Sequence, residues 1–328
     1  MMYEGVTFQV TPIDLLDRPN KCHSDSFGIL LKTRNDSRQA GMTRQAGMKT
    51  IGKEFAMNEE YTEEQQISLN DRFKFSCHKG LSCFNTCCND VNIFLTPYDV
   101  LRMRKTTWMP SGEFLKRYTV ALLGDEGIPL VVLKMMEDEN KSCPFVSPDG
   151  CSIYKHRPWS CRMYPIFPAS SKEEEFLIKK DLSCLGFSAE GRSASGGKDG
   201  RQWTTPEWKK DQGIDIYDKM NELYKEITFH DYFQKGNKLD SGRAKLLYKA
   251  CYDLNEFKRF LFETNFFDIY DVDNEVIEKI KKDEEELLSF GYRWVRFNLF
   301  NEDTFKLKDK AMDKLLQSGG KGLPHVSE

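Results

Sequence analysis

The sequence predicts an α+β fold: a compact cysteine-rich metal-binding domain of short helices and strands, followed by a helical C-terminal unit. Three observations carry this reading. Eight of the ten cysteines fall between Cys77 and Cys184. Around them, short apolar runs are cut by Gly, Pro and charged residues, as small strands and turns require. Beyond residue 205 apolar residues recur at helical spacing, as in Leu246, Leu247, Ala250, Leu254, Phe257 and Leu261.

A chain of 328 residues is long enough to bury a core without help from metal or disulfide. Its 39% hydrophobic and 30% charged residues, with 23 Phe, 13 Tyr and 5 Trp, exclude global disorder. The 48 basic and 51 acidic side chains leave a formal charge of -3, so no basic field exists to hold nucleic acid or an anionic membrane, and neither is an expected partner. The longest apolar run, Ile128 to Leu133, contains Pro129 and is too short to span a bilayer. The opening MMYEGVTFQVTPIDLLDR lacks the basic and apolar regions of a secretory signal. A cytoplasmic location is therefore expected, and in a reducing compartment clustered thiols are metal ligands or catalysts before they are disulfides.

Residues 1–66 are polar and weakly periodic and are expected to be a poorly ordered extension. They hold a tandem pentapeptide, Arg38 to Met42 and Arg44 to Met48, which makes an internal start methionine a second hypothesis for this stretch. Residues 67–188 form the expected cysteine-cluster domain. In it, 90–95 (DVNIFL) reads as a strand, Thr96 and Pro97 as the cap and first turn of a helix, and Ser111 as the start of another. Residues 128–136, 150–154 and 175–180 are further strand candidates, and Pro158 opens a turn before Cys161. Residues 189–204, rich in Gly, Ser and charge, read as a linker. The helical region 205–328 carries patterns near 206–227, 241–264, 273–290 and 303–316. Phe260, Phe262, Phe266, Phe267, Phe290, Tyr292 and Trp294 are expected in its core or on a packing surface for a protein partner, since no basic patch accompanies them for base stacking.

The cysteines form two groups. Cys77, Cys83, Cys87 and Cys88 are spaced C-x5-C-x3-C-C, and Cys143, Cys151, Cys161 and Cys184 follow. Eight soft donors can complete two four-sulfur sites, the number suited to structural zinc and to iron-sulfur clusters. Adjacent side chains point apart on a strand or a helix, so Cys87 and Cys88 are assigned to two sites, or to separate irons of one larger cluster. Four thiolates around a divalent metal leave negative charge, which Lys155, His156, Arg157 and Arg162 can offset, while Tyr154, Trp159, Tyr164 and Phe145 can exclude water. Arg157 and Arg162 can equally be surface residues paired to Asp149 or another carboxylate. His78 and His156 are expected beside the site and not as ligands. Asp71, Asp90 and Asp99 read as solvated or capping residues, and Cys22 and Cys251 as ordinary thiols.

The pattern C…C…CC, then CPF, then GCSIY-x-x-RP-x-x-CR-x-YP resembles the YkgJ-like cysteine-cluster proteins over about Phe75 to Phe187, and Cys151 to Pro165 is its most specific part. The run from Tyr252 to Phe266 looks like the helical tail of longer members. A departure is the five-residue gap between Cys77 and Cys83. The resemblance implies a zinc- or iron-chelating domain, of a kind described as an iron-sulfur oxidoreductase and similar in its cysteine motif to a flagellin lysine methylase. No phosphate loop, nucleophile elbow, zinc-protease helix or dinucleotide fingerprint occurs, so any enzymatic activity rests on the metal centre. The leading expectation is one or two iron-sulfur clusters serving electron transfer or modification of a macromolecule. The alternatives are a zinc-binding structural or interaction module and a protein lysine methylase-like enzyme.

Overall fold

A computed structural model describes residues 62–168, 175–181, 184–187 and 202–317. The cysteine-rich part carries β1 (Thr62–Ser68), β2 (Phe73–Lys74), β3 (Phe94–Leu95), α1 (Pro97–Arg104), α2 (Ser111–Tyr118), β4 (Thr119–Leu123) and β5 (Pro129–Leu133). It continues through the hairpin β6 (Val146–Ser147) and β7 (Gly150–Cys151), then α3 (Trp159–Met163), β8 (Ile166–Pro168) and β9 (Glu175–Asp181). After β10 (Gln202–Trp203) come α4 (Thr205–Asp211), α5 (Asp215–Thr228), α6 (Asp231–Gln234), α7 (Ser241–Cys251), α8 (Leu254–Phe262) and α9 (Phe266–Ile269). Then follow β11 (Tyr270–Asp271), α10 (Asn274–Lys282), α11 (Glu284–Phe300), β12 (Lys306–Leu307) and α12 (Asp309–Gln317). Helices and small sheets coexist, with the helices concentrated C-terminally, as an α+β chain requires.

The sheets are small and antiparallel. β9 lies between β1 and β8, and β5 between β3 and β4. Residues 62–66, expected in the extension, thus belong to a strand whose Thr62 faces Asp181 and whose Gln66 faces Leu177. Residues 1–61, with the tandem repeat and Cys22, and residues 189–201 of the expected linker lie outside the described residues. Gln202 and Trp203 at that linker's end pair with Lys74 and Phe73.

Thr96 opens α1 with a reciprocal cap: its hydroxyl accepts from the Asp99 N–H, and Asp99 accepts from the Thr96 N–H at 2.9 Å. Other expected elements are shorter or broken. The strand at 90–95 shrinks to Phe94 and Leu95, because Asp90 takes a left-handed conformation (φ 47°). Residues 150–154 extend only through Cys151 before a 3-10 turn at Tyr154–His156. The pattern at 206–227 divides at Gly213 (φ 62°). That at 241–264 divides where Asp253 caps α8 by accepting from the Glu256 N–H. The pattern at 273–290 divides at Asp283, which accepts from the Glu285 and Glu286 N–H groups and starts α11, and α11 runs on to a left-handed Asn301.

One large core joins the cysteine-rich part to the helices. Leu95, Tyr98, Leu101, Phe114, Val131 and Phe145 pack with Tyr217, Leu247, Phe257, Leu288 and Val295. Phe266, Phe290, Tyr292 and Trp294 are buried in it, with Phe260, Phe262 and Phe267 half-buried against it. A smaller core gathers Phe73, Phe75, Met163, Ile166, Ile178, Trp203, Trp208 and Ile214. Within the large core α7 and α11 touch at Gly291, where a Cβ would stand 2.3 Å from the Ala250 carbonyl oxygen. Gly291→Ala is expected to lower stability by about 1–3 kcal/mol, seen as a lower urea midpoint; an unchanged midpoint would show that the two helices separate freely.

Candidate metal centre

The cysteines are carried by tight local turns fastened to one another through the backbone. From residue 76 to 89 the chain folds through successive short bonds, with Leu81 N–H donating to the His78 oxygen, Phe84 to Leu81, Thr86 to Cys83 and Cys88 to Asn85. Asn85 turns left-handed (φ 71°) and donates its side-chain amide to the Ser147 oxygen at 2.8 Å. Three longer-range bonds then align the segments. Cys143 N–H donates to the Cys88 oxygen at 2.9 Å, Ser76 N–H to the Gly186 oxygen at 2.9 Å, and Leu185 N–H to the Cys83 sulfur at 3.3 Å. Cys151 ends β7, Cys161 lies within α3, and Cys184 precedes a 3-10 turn at Leu185–Phe187.

Electrostatics divide the eight thiols. Burial pushes the Cys77 thiol up to about 12, and the charges of Cys87, Cys184 and Cys83 push the same way. Burial also raises Cys184, opposed by hydrogen bonds from the Tyr164 hydroxyl and Gly186 N–H and reinforced by Cys83 and Cys87. On the other side burial pushes Cys161 up to about 12, with Cys143, Cys151 and Asp99 adding to it and Arg157 opposing. Burial raises Cys143, which accepts from the Phe145 and Val146 N–H groups and feels Cys151. Burial raises Cys151, which accepts from Ile153 N–H and is opposed by Arg157. Cys88 is raised first by its hydrogen bond with Cys87, then by burial and by the charges of Cys87, Cys143 and Cys161. Cys77 thus feels Cys83, Cys87 and Cys184, and Cys161 feels Cys143 and Cys151, while Cys88 meets Cys87 first and then feels Cys143 and Cys161. Among the described residues, no three His, Cys, Asp or Glu side chains stand at the spacing that one ion needs.

The two sets differ in surroundings. Cys77 and Cys87 are exposed as residues, although the Cys77 sulfur itself is partly enclosed, and the other six are half-buried. Cys143, Cys151 and Cys161 pack against the large core, and Cys184 against the small one. The 3-10 turn and α3, which lie between Cys151 and Cys161, are held by two arginines. Arg162 donates to the oxygens of Arg157 (3.0 Å), Lys155 (2.6 Å) and Gln212, and lies 4.6 Å over the Tyr217 ring. Arg157 donates to the Tyr154 oxygen and the Gln212 side chain and stacks 3.8 Å from the Tyr154 ring. Both are buried, so the expectation of surface arginines paired to Asp149 is corrected: Asp149 pairs with Lys79 at 2.9 Å. The other expectation, cationic charge opposing the sulfurs, is met by Arg157 at Cys151 and Cys161.

Tyr154 is 59% exposed and covers Arg157 instead of enclosing the thiols. Phe145 is buried, and Tyr164 reaches Cys184 directly. Asp71 caps the Ser68 N–H at 2.8 Å, and Asp90 pairs with Lys141 at 3.0 Å. Asp99 is a cap but not a solvated one. It is 1% exposed, and while one oxygen serves Thr96, the other accepts from the Trp159 N–H at 2.7 Å, tying α1 to the start of the cysteine-bearing α3. His78 accepts the Gly80 N–H at Nδ1, while among the described residues neither His78 Nε2 nor His156 Nδ1, both buried, meets a hydrogen-bond partner. Cys251 is fully buried at the end of α7, the position of an ordinary core thiol. The supports that sequence reasoning missed are Gln212 and Tyr217, whose hydroxyl donates to the Arg157 oxygen at 3.2 Å. Neither sits in a motif. Thr96 followed by Pro97 did signal the cap, though not the bond from Trp159 to Asp99.

Residues 76–185 match the CxxCxxCC family, described as a putative zinc- or iron-chelating domain. The resemblance read from the cysteine motif holds over that third of the chain, and it supports metal binding without distinguishing iron from zinc. No curated protein and no solved structure matches. No helix among the described residues is long and apolar enough to cross a membrane.

Because the folded state holds protons on these thiols above their ordinary value of 9.0, the folded protein without metal binds more protons than the unfolded chain between about pH 9 and 12. Its stability is expected to be unaffected by these groups below that window and to fall as pH rises through it. Urea titrations of metal-free protein from pH 8 to 10.5 check this, and a midpoint rising with pH would contradict it.

Proposed function

We propose that the eight cysteines hold two four-thiolate centres, one on Cys77, Cys83, Cys87 and Cys184 and the other on Cys88, Cys143, Cys151 and Cys161, and that these are iron-sulfur clusters that carry electrons. The observation that carries the choice of cluster over single ion is the company the thiols keep: the Arg157 charge opposes that of Cys151 and Cys161, and N–H groups donate to Cys83, Cys143, Cys151 and Cys184, surroundings that suit a redox centre.

The donor chemistry fits. Soft thiolates suit iron-sulfur centres, and such a centre, when bound, supplies a reversible one-electron change. The chain's own groups then tune it. N–H donors at Cys83, Cys143, Cys151 and Cys184, the Tyr164 hydroxyl and the Arg157 charge all favour the more negative state and so raise the potential. The short bonded link through Cys87 and Cys88 offers a path between the two centres. One observation favours the second reading, a zinc module without redox activity: Cys77 and Cys87 are exposed, a placement that leaves a cluster open to oxidants and that zinc tolerates.

Anaerobic purification followed by metal analysis, acid-labile sulfide assay and visible spectroscopy decides between them. The expected result is a brown protein with iron and sulfide; colourless protein with stoichiometric zinc would replace the first reading by the second. Cys87→Ser and Cys88→Ser are each expected to lose metal and Cys251→Ser to keep it. Equal metal content in all three variants would overturn both readings.

A further inference from the structure

The sheet of β3, β5 and β4 ends on β4, which pairs with β5 alone among the described residues. Two bonds fix which of its backbone groups are used. Gly124 N–H donates to the Ile128 oxygen at 2.9 Å, and Lys134 N–H to the Tyr118 oxygen at 2.8 Å. Bonded pairs alternate along an antiparallel ladder, so Val120 and Leu122 direct their N–H and carbonyl groups at β5. Those of Ala121 and Leu123 point away from the sheet, together with the Thr119 carbonyl. The Thr119 N–H is taken by the Leu115 oxygen at the end of α2.

Edge strands are ordinarily guarded by a charge, a proline or a bulge. β4 reads TVALL in an unbroken register and has none of these. Thr119, Ala121 and Leu123 share the face of the buried Val131 and Leu133. Val120, 41% exposed, and Leu122 share the other face with Leu130, Val132 and Phe94, and none of these five packs in either core.

The partner that such an edge accepts is set by the charges at its ends. The exposed Lys116 and Arg117 precede β4, and Asp125 and Glu126 follow it. An antiparallel partner strand must therefore be uncharged along its length, acidic opposite Lys116 and Arg117, and basic opposite Asp125 and Glu126. β4 itself, turned by a twofold axis at Ala121, meets all three conditions. The outward groups then match as well: Ala121 meets Ala121 of the second copy, and the Leu123 N–H meets the Thr119 carbonyl. Val120 comes to lie beside Leu122 of the second copy on the apolar face, and no bond within either copy is broken.

We infer that β4 is the interface of a homodimer, in which two copies of this chain join antiparallel through this edge and continue one sheet across a twofold axis. The pairing is independent of which metal the thiols hold. It nevertheless ties the shared sheet to each cysteine-rich part, because the chain beyond β5 reaches Met136, whose N–H donates to the oxygen of Ser142, next to Cys143, at 2.8 Å.

Light scattering on size-exclusion fractions of the full chain tests the pairing. Loaded at about 100 μM, above the micromolar dissociation constants of weak interfaces, the wild-type chain is expected at twice its 38.2 kDa. Ala121→Pro removes the outward N–H without touching a bond to β5, as prolines on edge strands do. It is expected at the mass of one chain with wild-type circular dichroism. Val120→Lys, at an exposed position outside both cores, is expected to raise the dissociation constant of the dimer at least about tenfold by setting a charge against Leu122 of the second copy. Wild-type protein at the mass of one chain would overturn the inference, and so would a folded Ala121→Pro protein that stays at twice that mass. Should Ala121→Pro fail to fold, Val120→Lys decides, and an unchanged dissociation constant would overturn the pairing. A dimer that survives both variants and is lost in Val132→Lys joins through the open apolar face instead, which also overturns it.

Discussion

The thiols of two neighbouring cysteines, Cys87 and Cys88, meet at the end of one tight turn, and the rest of the site is arranged around that pair. Cys87 and Cys88 end a 3-10 turn, and each neighbours a different set of thiols, drawn from segments as distant in sequence as Cys77 and Cys184. Each set draws one cysteine from the pair and completes itself elsewhere. The carbonyl of Cys88 fastens the Cys143 segment, and the sulfur of Cys83 accepts from the backbone beside Cys184, so main-chain bonds bring together what the chain order separates.

The helical region does more than follow the cysteine-rich one. Tyr217, Asp218 and Gln212 hold the turn and helix that carry Cys161, and Trp203 and Trp208 complete the small core against Phe73, Phe75 and Met163. A buried carboxylate is costly unless fully bonded. Asp99 meets that condition by accepting from Thr96 on one side and Trp159 on the other. Burial raises its pKa while those bonds oppose the rise. It is a polar pin between two helices at a place where an apolar residue could not satisfy the start of either one.

Features written in local chemistry were legible before the fold was known: the Thr96 cap with Pro97, the Pro158 turn, the strand before Asp181, and the clustering of eight cysteines. Breaks in the C-terminal helices were harder. Asp253 and Asp283 sit inside runs whose apolar spacing continues past them, and only the bonds their carboxylates make with the next turn reveal new helix starts. The sequence left Arg157 and Arg162 open between the surface and the sulfurs because their partners are backbone oxygens and a glutamine from segments 3 to 55 residues away, which no spacing rule encodes. Tyr154 looked like a shield because its aromatic character is visible in the sequence and its outward direction is not.

The central claim is geometric: eight sulfurs, two centres, parted between adjacent residues. Anomalous-difference density collected at the iron edge from crystals of the anaerobically purified chain tests it most directly. The account predicts two separate peaks flanking the Cys87–Cys88 peptide, one surrounded by Cys77, Cys83, Cys87 and Cys184 and the other by Cys88, Cys143, Cys151 and Cys161. A single peak bound by both Cys87 and Cys88, or sulfurs left without metal at either place, would contradict it.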